Sequence, residues 1–421
     1  MKAYAMVRAA LTLVALCLSL LLTGTAAFGQ DVGADVGGGA GIFRPRNPET
    51  KKTGAKPMTP VTKPSTRSGP RSNRGAAPAA AAAGGEERVE ELLAKGNEFR
   101  DARRFAEAEE AYQGALKIKP RDARGAYGLG NVYTDQQRWE SAESAYRNAA
   151  QWGPSNVDAL VALSVVLVQP RTGADNAKRF ADAEGFARRA VQLQPKNAVA
   201  WDRLGVALQS RGSFTNETEQ AYRRAVELDP QFAVAYVHLG RVLKRLGRNS
   251  EAAPMYDQAS SLAKDAPTLN LIAESLQAEQ QWDLSGPVLE RALALDERNP
   301  TSLFLMGRML VVLKRYQEAE PYLKTSTEVS PRAFQPFNLL GRTYLALERY
   351  PDAEVTYERA AAFAPAGDRK QLAGAFGFQG VGDGYLRARE QANAARAYQR
   401  ALELDPGNKE IEQKLSKARS R

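Results

Sequence analysis

Beyond residue 104 the apolar positions fall into a repeated triad. Ala108, Tyr112 and Ala115 are spaced four and three residues apart, which puts them on one face of a helix. The triad returns as Ala142, Tyr146 and Ala149, as Ala252, Tyr256 and Ala259, and as Ala353, Tyr357 and Ala360. The alanines let another helix come close and the tyrosine fills the gap beside them. Upstream of each triad a second apolar run carries Leu-Gly: Leu129-Gly130, Leu204-Gly205, Leu239-Gly240 and Leu340-Gly341. A glycine inside a helix costs up to about 1 kcal/mol against alanine. Its return in one slot therefore predicts a neighbouring helix that needs the space. Prolines such as Pro120, Pro154, Pro331 and Pro365 close the units, because proline lacks an N–H and disfavours helix at the preceding residue. The pattern predicts nine helix–turn–helix units, ending near residues 120, 154, 195, 230, 264, 297, 331, 365 and 406, two of them without the proline. One helical pair cannot bury its apolar face alone, so the sequence repeats because the packing problem repeats.

A period of about 34 residues with Leu-Gly, Tyr, Ala and Pro in fixed slots resembles the tetratricopeptide repeat family. The resemblance covers residues 86–406, and residues 407–421 read as a polar capping helix. It implies an all-α fold, a TPR α-solenoid, in which a right-handed superhelix lines a concave groove with its first helices. Three places depart from the pattern. Seven extra residues sit around 169–176 and seven around 364–374, each insertion close to two helical turns, so the adjoining helices are expected to lengthen in register. The fourth unit has Thr218 where others have alanine, with one extra residue before it.

The amino terminus differs in kind. Residues 1–29 read as a secretory signal peptide, with Lys2 and Arg8, an apolar run from Ala9 to Leu22, and small residues after it. The run is short for a membrane span; an uncleaved inner-membrane anchor is the alternative reading. The expected location is therefore outside the cytoplasm, periplasmic or extracellular. Cys17, the only cysteine, is a passenger in the apolar run. Residues 30–85 are rich in Gly, Pro, Ala, Ser and basic residues, have little to bury, and are expected to stay a disordered linker. The net charge of +10 sits mostly here: residues 31–85 carry +6 and residues 1–30 carry +2, which leaves +2 for residues 86–421. The near-neutral repeats argue against a nucleic-acid partner. The basic linker suits a spacer or a tether to an anionic envelope surface.

Little supports catalysis. One histidine, His238, and one cysteine cannot build a His-based metal site, and no nucleophile has a base beside it. GVGDGY, residues 380–385, has alternate glycines but falls within a first helix, where no phosphate loop would form. The acidic residues recur with arginine and lysine at helical spacings and read as solvated faces. The expectation is a protein that is not an enzyme and needs no cofactor or metal, with a regulatory subunit of a transferase as the enzyme-related alternative.

The resemblance also implies that the residue after the helix-interior glycine points into the groove. Those slots hold Asn97 and Asn131, then Val165 and Val206, then Arg241, Glu274, Arg308 and Arg342, and finally Asp383. Some family members hold a terminal carboxylate with a lysine three residues before the glycine. No lysine stands there in this chain. What remains is Asn97 and Asn131 at one end and a basic stripe of Arg241, Lys244, Arg245, Arg308 and Arg342, with Phe304 beside it. Arginine suits bidentate carboxylate contacts. The expected partner is a protein or peptide, with an acidic segment held along repeats five to eight. The class of function implied is an interaction scaffold or assembly factor of a bacterial cell envelope; the alternative is an envelope-polymer or anionic-surface binder acting through the linker.

Overall fold

The structure, a computed structural model, describes residues 46–50, 76–171 and 173–420. The signal-peptide reading falls outside these residues. The described chain is helical and divides into two compact units, Met1–Ala252 and Ala253–Arg421.

In the first unit the helices pair in sequence: α1 (Ala76–Asp101) with α2 (Phe105–Ile118), α3 (Ala123–Asp135) with α4 (Trp139–Trp152), α5 (Val157–Leu167) with α6 (Asn176–Leu193), and α7 (Ala198–Ser210) with α8 (Asn216–Leu228). Helix α9 (Ala233–Arg245) packs on α8, and the border between units falls within α10 (Asn249–Leu262). In the second unit α11 (Ala266–Ala278) pairs with α12 (Trp282–Leu295), α13 (Pro300–Val312) with α14 (Tyr316–Val329), and α15 (Phe334–Ala346) with α16 (Tyr350–Phe363). A short α17 (Arg369–Ala373) precedes the pair α18 (Phe378–Arg387) and α19 (Gln391–Leu404), and α20 (Lys409–Arg419) closes on α19 through Ile411, Leu415 and Ala418. Each unit is a stack of helical hairpins, an α-solenoid.

The triads form the core. Ala108, Tyr112 and Ala115 are fully buried, as are Ala142, Tyr146 and Ala149, and Ala353, Tyr357 and Ala360. The recurrent glycines make room for the tyrosines. A Cβ on Gly130 would lie 2.4 Å from the Tyr146 ring, and one on Gly341 would lie 2.6 Å from the Tyr357 ring. The second helices end two residues ahead of the unit-closing prolines, as Ile118 does before Pro120 and Phe363 before Pro365. Helices α10 and α12 end in the same register without a proline, at Leu262 and Leu295. The stop is therefore supported from the other side as well: Asp265 and Asn299 cap the helices that follow, accepting from the main-chain N–H of Thr268 and Ser302.

The insertions behave differently from the expectation of lengthened helices. Helix α6 has 18 residues against 14 in α4, so it gains one turn, and the rest of that insertion forms a loop. The second insertion lengthens nothing. Gly374 and Gly377 break the chain after α17, whose Leu372 and Ala373 are buried. A Cβ on Gly377 would meet the Leu372 carbonyl oxygen at 2.0 Å, so only glycine admits this turn. In the fourth unit the loop absorbs the extra residue, and the buried Thr218 hydroxyl donates to the Ser213 carbonyl at 2.6 Å.

The linker expectation also needs correcting at two places. Helix α1 starts at Ala76, ten residues inside the stretch expected to lack structure. An alanine run has the best helix propensity, and extending a packed helix requires no new nucleus. The second exception is residues 46–50, which lie against the first repeats.

Candidate peptide groove

Asn97 and Asn131 each follow a glycine that seats a tyrosine, Gly96 against Tyr112 and Gly130 against Tyr146. With the ring drawn under the first helix, its hydroxyl reaches the asparagine. Tyr112 donates to Asn97 Oδ1 at 2.7 Å, and Tyr146 donates to Asn131 Oδ1 at 2.9 Å. An amide whose oxygen is engaged has its NH2 direction set. Both NH2 groups meet one extended segment of the same chain: Asn97 Nδ2 donates to the Pro48 carbonyl at 3.0 Å, and Asn131 Nδ2 donates to the Arg46 carbonyl at 2.8 Å. Alternate carbonyls of an extended chain point the same way, so two amides from successive repeats can hold residues i and i+2.

Side chains are read as well. The Asn47 amide accepts from Arg100 Nη1 at 3.0 Å and donates to Asp101 Oδ2 at 2.9 Å. Arg100 is only 1% exposed and is fixed by Asp135 through contacts of 2.6 and 3.2 Å. Pro48 is buried, whereas Arg46 and Glu49 are exposed. Arg124 donates to the Glu49 carbonyl at 3.4 Å and to Glu90 at 2.7 Å, while Asp122 holds its other edge. Burial raises the Asp158 carboxyl above its ordinary range, and the opposing influence comes from the Arg46 charge.

Sequence reasoning named Asn97 and Asn131 and did not name Arg100, Asp101, Arg124, the two tyrosine hydroxyls or the segment that these residues contact. A signal was present: each asparagine precedes its tyrosine by 15 residues. Asp383 and Tyr398 repeat that spacing and that hydrogen bond, at 2.6 Å.

The basic residues are placed in separate groups. In the first unit Arg241 is nearly buried on α9, Lys244 and Arg245 lie in its last turn, and the Arg245 guanidinium stands 5.5 Å from the Phe214 ring centre. In the second unit Phe304 and Arg308 share α13. The Arg308 guanidinium lies 5.8 Å from the Phe304 ring centre, and its Nε donates to the buried Gln277 at 2.8 Å. Arg342 on α15 lies 5.1 Å from the ring centre of Phe376, which the second insertion supplies. The Tyr357 hydroxyl donates to the Phe376 carbonyl at 2.6 Å and so holds that residue in place.

His238 is part of a buried cluster. Its Nδ1 is 2.7 Å from Asp202 Oδ1, Arg203 stands 2.8 Å from the other Asp202 oxygen, and the imidazole packs 5.3 Å from the Tyr222 ring. Burial pushes the Asp202 carboxyl up, but the charges of His238 and Arg203 outweigh it and hold the group below its ordinary range. GVGDGY lies inside α18, where Gly382 and Gly384 seat Tyr398 and Tyr350, so its glycines serve packing.

Helical hairpins stacked in sequence order, each closed by a small-residue contact, define a protein of the helical-repeat class. Tetratricopeptide repeat models match residues 93–168, 270–333 and 304–368, and a second model of that description matches residues 235–269. The chain belongs to the tetratricopeptide repeat family. Among solved structures, it is similar to TTC0263, a thermophilic TPR protein of Thermus thermophilus, at 20% identity and TM-score 0.39 over 45% of this chain and 99% of that one. It is also similar to YrrB, a TPR protein with an unusual peptide-binding site, at 24% identity and TM-score 0.34 over 42% of this chain and 92% of that one. A third is Cut9–Hcn1 of the APC/C, at 13% identity and TM-score 0.37 over 79% of this chain and 90% of that one. At such TM-scores these likenesses add nothing to the family assignment. No curated relative matches the chain.

Proposed function

We propose that this protein is a non-enzymatic interaction scaffold, exported to a bacterial cell envelope, that holds an extended segment of a partner protein in the groove of its first repeats. One observation carries the reading: Asn97 and Asn131, set by tyrosines of their own repeats, both donate to main-chain carbonyls of a single extended segment. Main-chain recognition of this kind needs no catalytic group and no cofactor. The envelope assignment draws on the signal-like residues 1–29.

A second contact region is supported in the second unit. Arg308 and Arg342 lie against the rings of Phe304 and Phe376, and Arg308 Nε also donates to Gln277, contacts that orient both guanidinium groups. We assign an acidic stretch of the partner to these arginines. The test is partner capture from envelope extract by full-length protein. Asn97→Ala with Asn131→Ala should lower capture about tenfold at any salt, from two lost hydrogen bonds. Arg308→Glu with Arg342→Glu should lower it at low salt only, because screening already weakens ion pairs at high salt. Unchanged capture by the asparagine pair would overturn the groove reading, and unchanged low-salt capture by the arginine pair would overturn the acidic one.

A further inference from the structure

We propose that Arg46-Asn47-Pro48 is a built-in occupant of the first-repeat groove, and that the partner segment carries an Asn-Pro core that must displace it. This rests on the groove reading above and adds to it both a sequence preference and a gate.

The preference follows from what the groove offers each residue. Arg100 supplies a donor and Asp101 an acceptor, 3.0 and 2.9 Å from the two ends of the Asn47 amide. A side-chain amide presents an acceptor and a donor side by side, which suits this pair. An aspartate would lose the donor and set its charge against Asp101. The next residue, Pro48, is buried and lacks an N–H, so no main-chain donor goes unsatisfied there. Its carbonyl is taken by Asn97 and that of Arg46 by Asn131, which fixes direction and register. Arg46 lies where its charge influences the half-buried Asp158, which favours a basic residue ahead of the Asn-Pro pair.

The gate follows from connection. The segment belongs to the same chain as α1, so its binding is intramolecular, and effective concentrations for such binding are on the order of millimolar. A partner in free solution must compete against that concentration. The repeats thus refuse weak Asn-Pro ligands and admit those that bring further contacts.

The experiment uses the full chain and a labelled synthetic peptide of residues 42–52, read by fluorescence anisotropy. Asn47→Ala with Pro48→Ala in the protein weakens the internal occupant and changes no residue of a helix. This variant should bind the peptide at least about tenfold tighter than the unaltered chain. Adding Asn97→Ala and Asn131→Ala to it should abolish binding, and a peptide with Asn47→Asp should bind at least about tenfold more weakly. Equal binding by the unaltered chain and the segment variant overturns the gate and leaves the groove reading standing. Undiminished binding by the chain lacking both groove asparagines overturns the groove reading itself. Concentration-dependent association of the unaltered chain, lost in the segment variant, would place the segment in a second copy and overturn the internal gate.

Discussion

The first repeats and the repeats of the second unit share a scaffold and differ in one slot. After Gly96 and Gly130 stands asparagine, and after Gly307 and Gly341 stands arginine. In the first region the partner helix contributes a tyrosine hydroxyl that fixes the asparagine, and the amide then reads a main chain. In the second, arginine cannot accept a hydrogen bond. Gly307 packs on Leu323, which has no hydroxyl, and the Tyr357 hydroxyl turns instead to the carbonyl of Phe376. The arginines are oriented by aromatic rings, and Arg308 also by Gln277. The repeat supplies a position, and the tyrosine-to-slot pair decides how its side chain is held: an amide fixed by a hydroxyl against the main chain of residues 46–48 in one region, a guanidinium laid against an aromatic ring in the other.

The largest effect expected is on what the two regions share. Gly130→Ala and Gly341→Ala each drive a methyl into a tyrosine ring, and each should cost about 3 kcal/mol in denaturant unfolding. A marked inequality between them would show that the two scaffolds are not equivalent. Next comes acid. Asp202 has a folded value held below its unfolded value of 3.8, so its contribution is present above that pH and is lost as pH falls through the folded value. The first unit should therefore lose stability as pH falls through that folded value and the buried His238 loses its charged hydrogen-bond partner. Asp202→Asn should flatten this part of the pH profile, and a profile unchanged by that substitution would remove the cluster from the account. The smallest effect separates the regions most sharply. Tyr112→Phe with Tyr146→Phe keeps the rings and loses the hydroxyls, and should weaken binding of an Asn-Pro peptide by roughly 1 kcal/mol with little change in helicity. Tyr357→Phe should leave that binding untouched. Equal effects from the two changes would break the contrast.

Much of the architecture was legible in the residues. Periodicity 3.6 and the recurring Gly-to-Tyr contact are local chemistry repeated, so hairpins, their boundaries and the buried triads follow from spacing. The slot of Asn97 and Asn131 was legible for the same reason, since each follows the glycine that seats its tyrosine. The insertions were read less well. Their length suited extra helical turns, but Gly374 and Gly377 redirected the chain and placed Phe376 against Arg342. The role of His238 depends on Asp202, a residue 36 positions away on another helix.

The repeating hairpin follows from residue order alone, because each unit carries its own packing instructions within one period. What lies against Asn97 and Asn131 depends on contacts distant in the chain. Residues 46–50 have no periodicity and little to bury, and their composition alone points to a solvated chain. They are ordered by partners 49 to 85 residues distant, Asn97 and Asn131. A contact of that kind belongs to no local pattern: it forms when stacked repeats bring amides, a buried arginine and an aspartate to one surface, where they satisfy the polar groups that an extended segment carries.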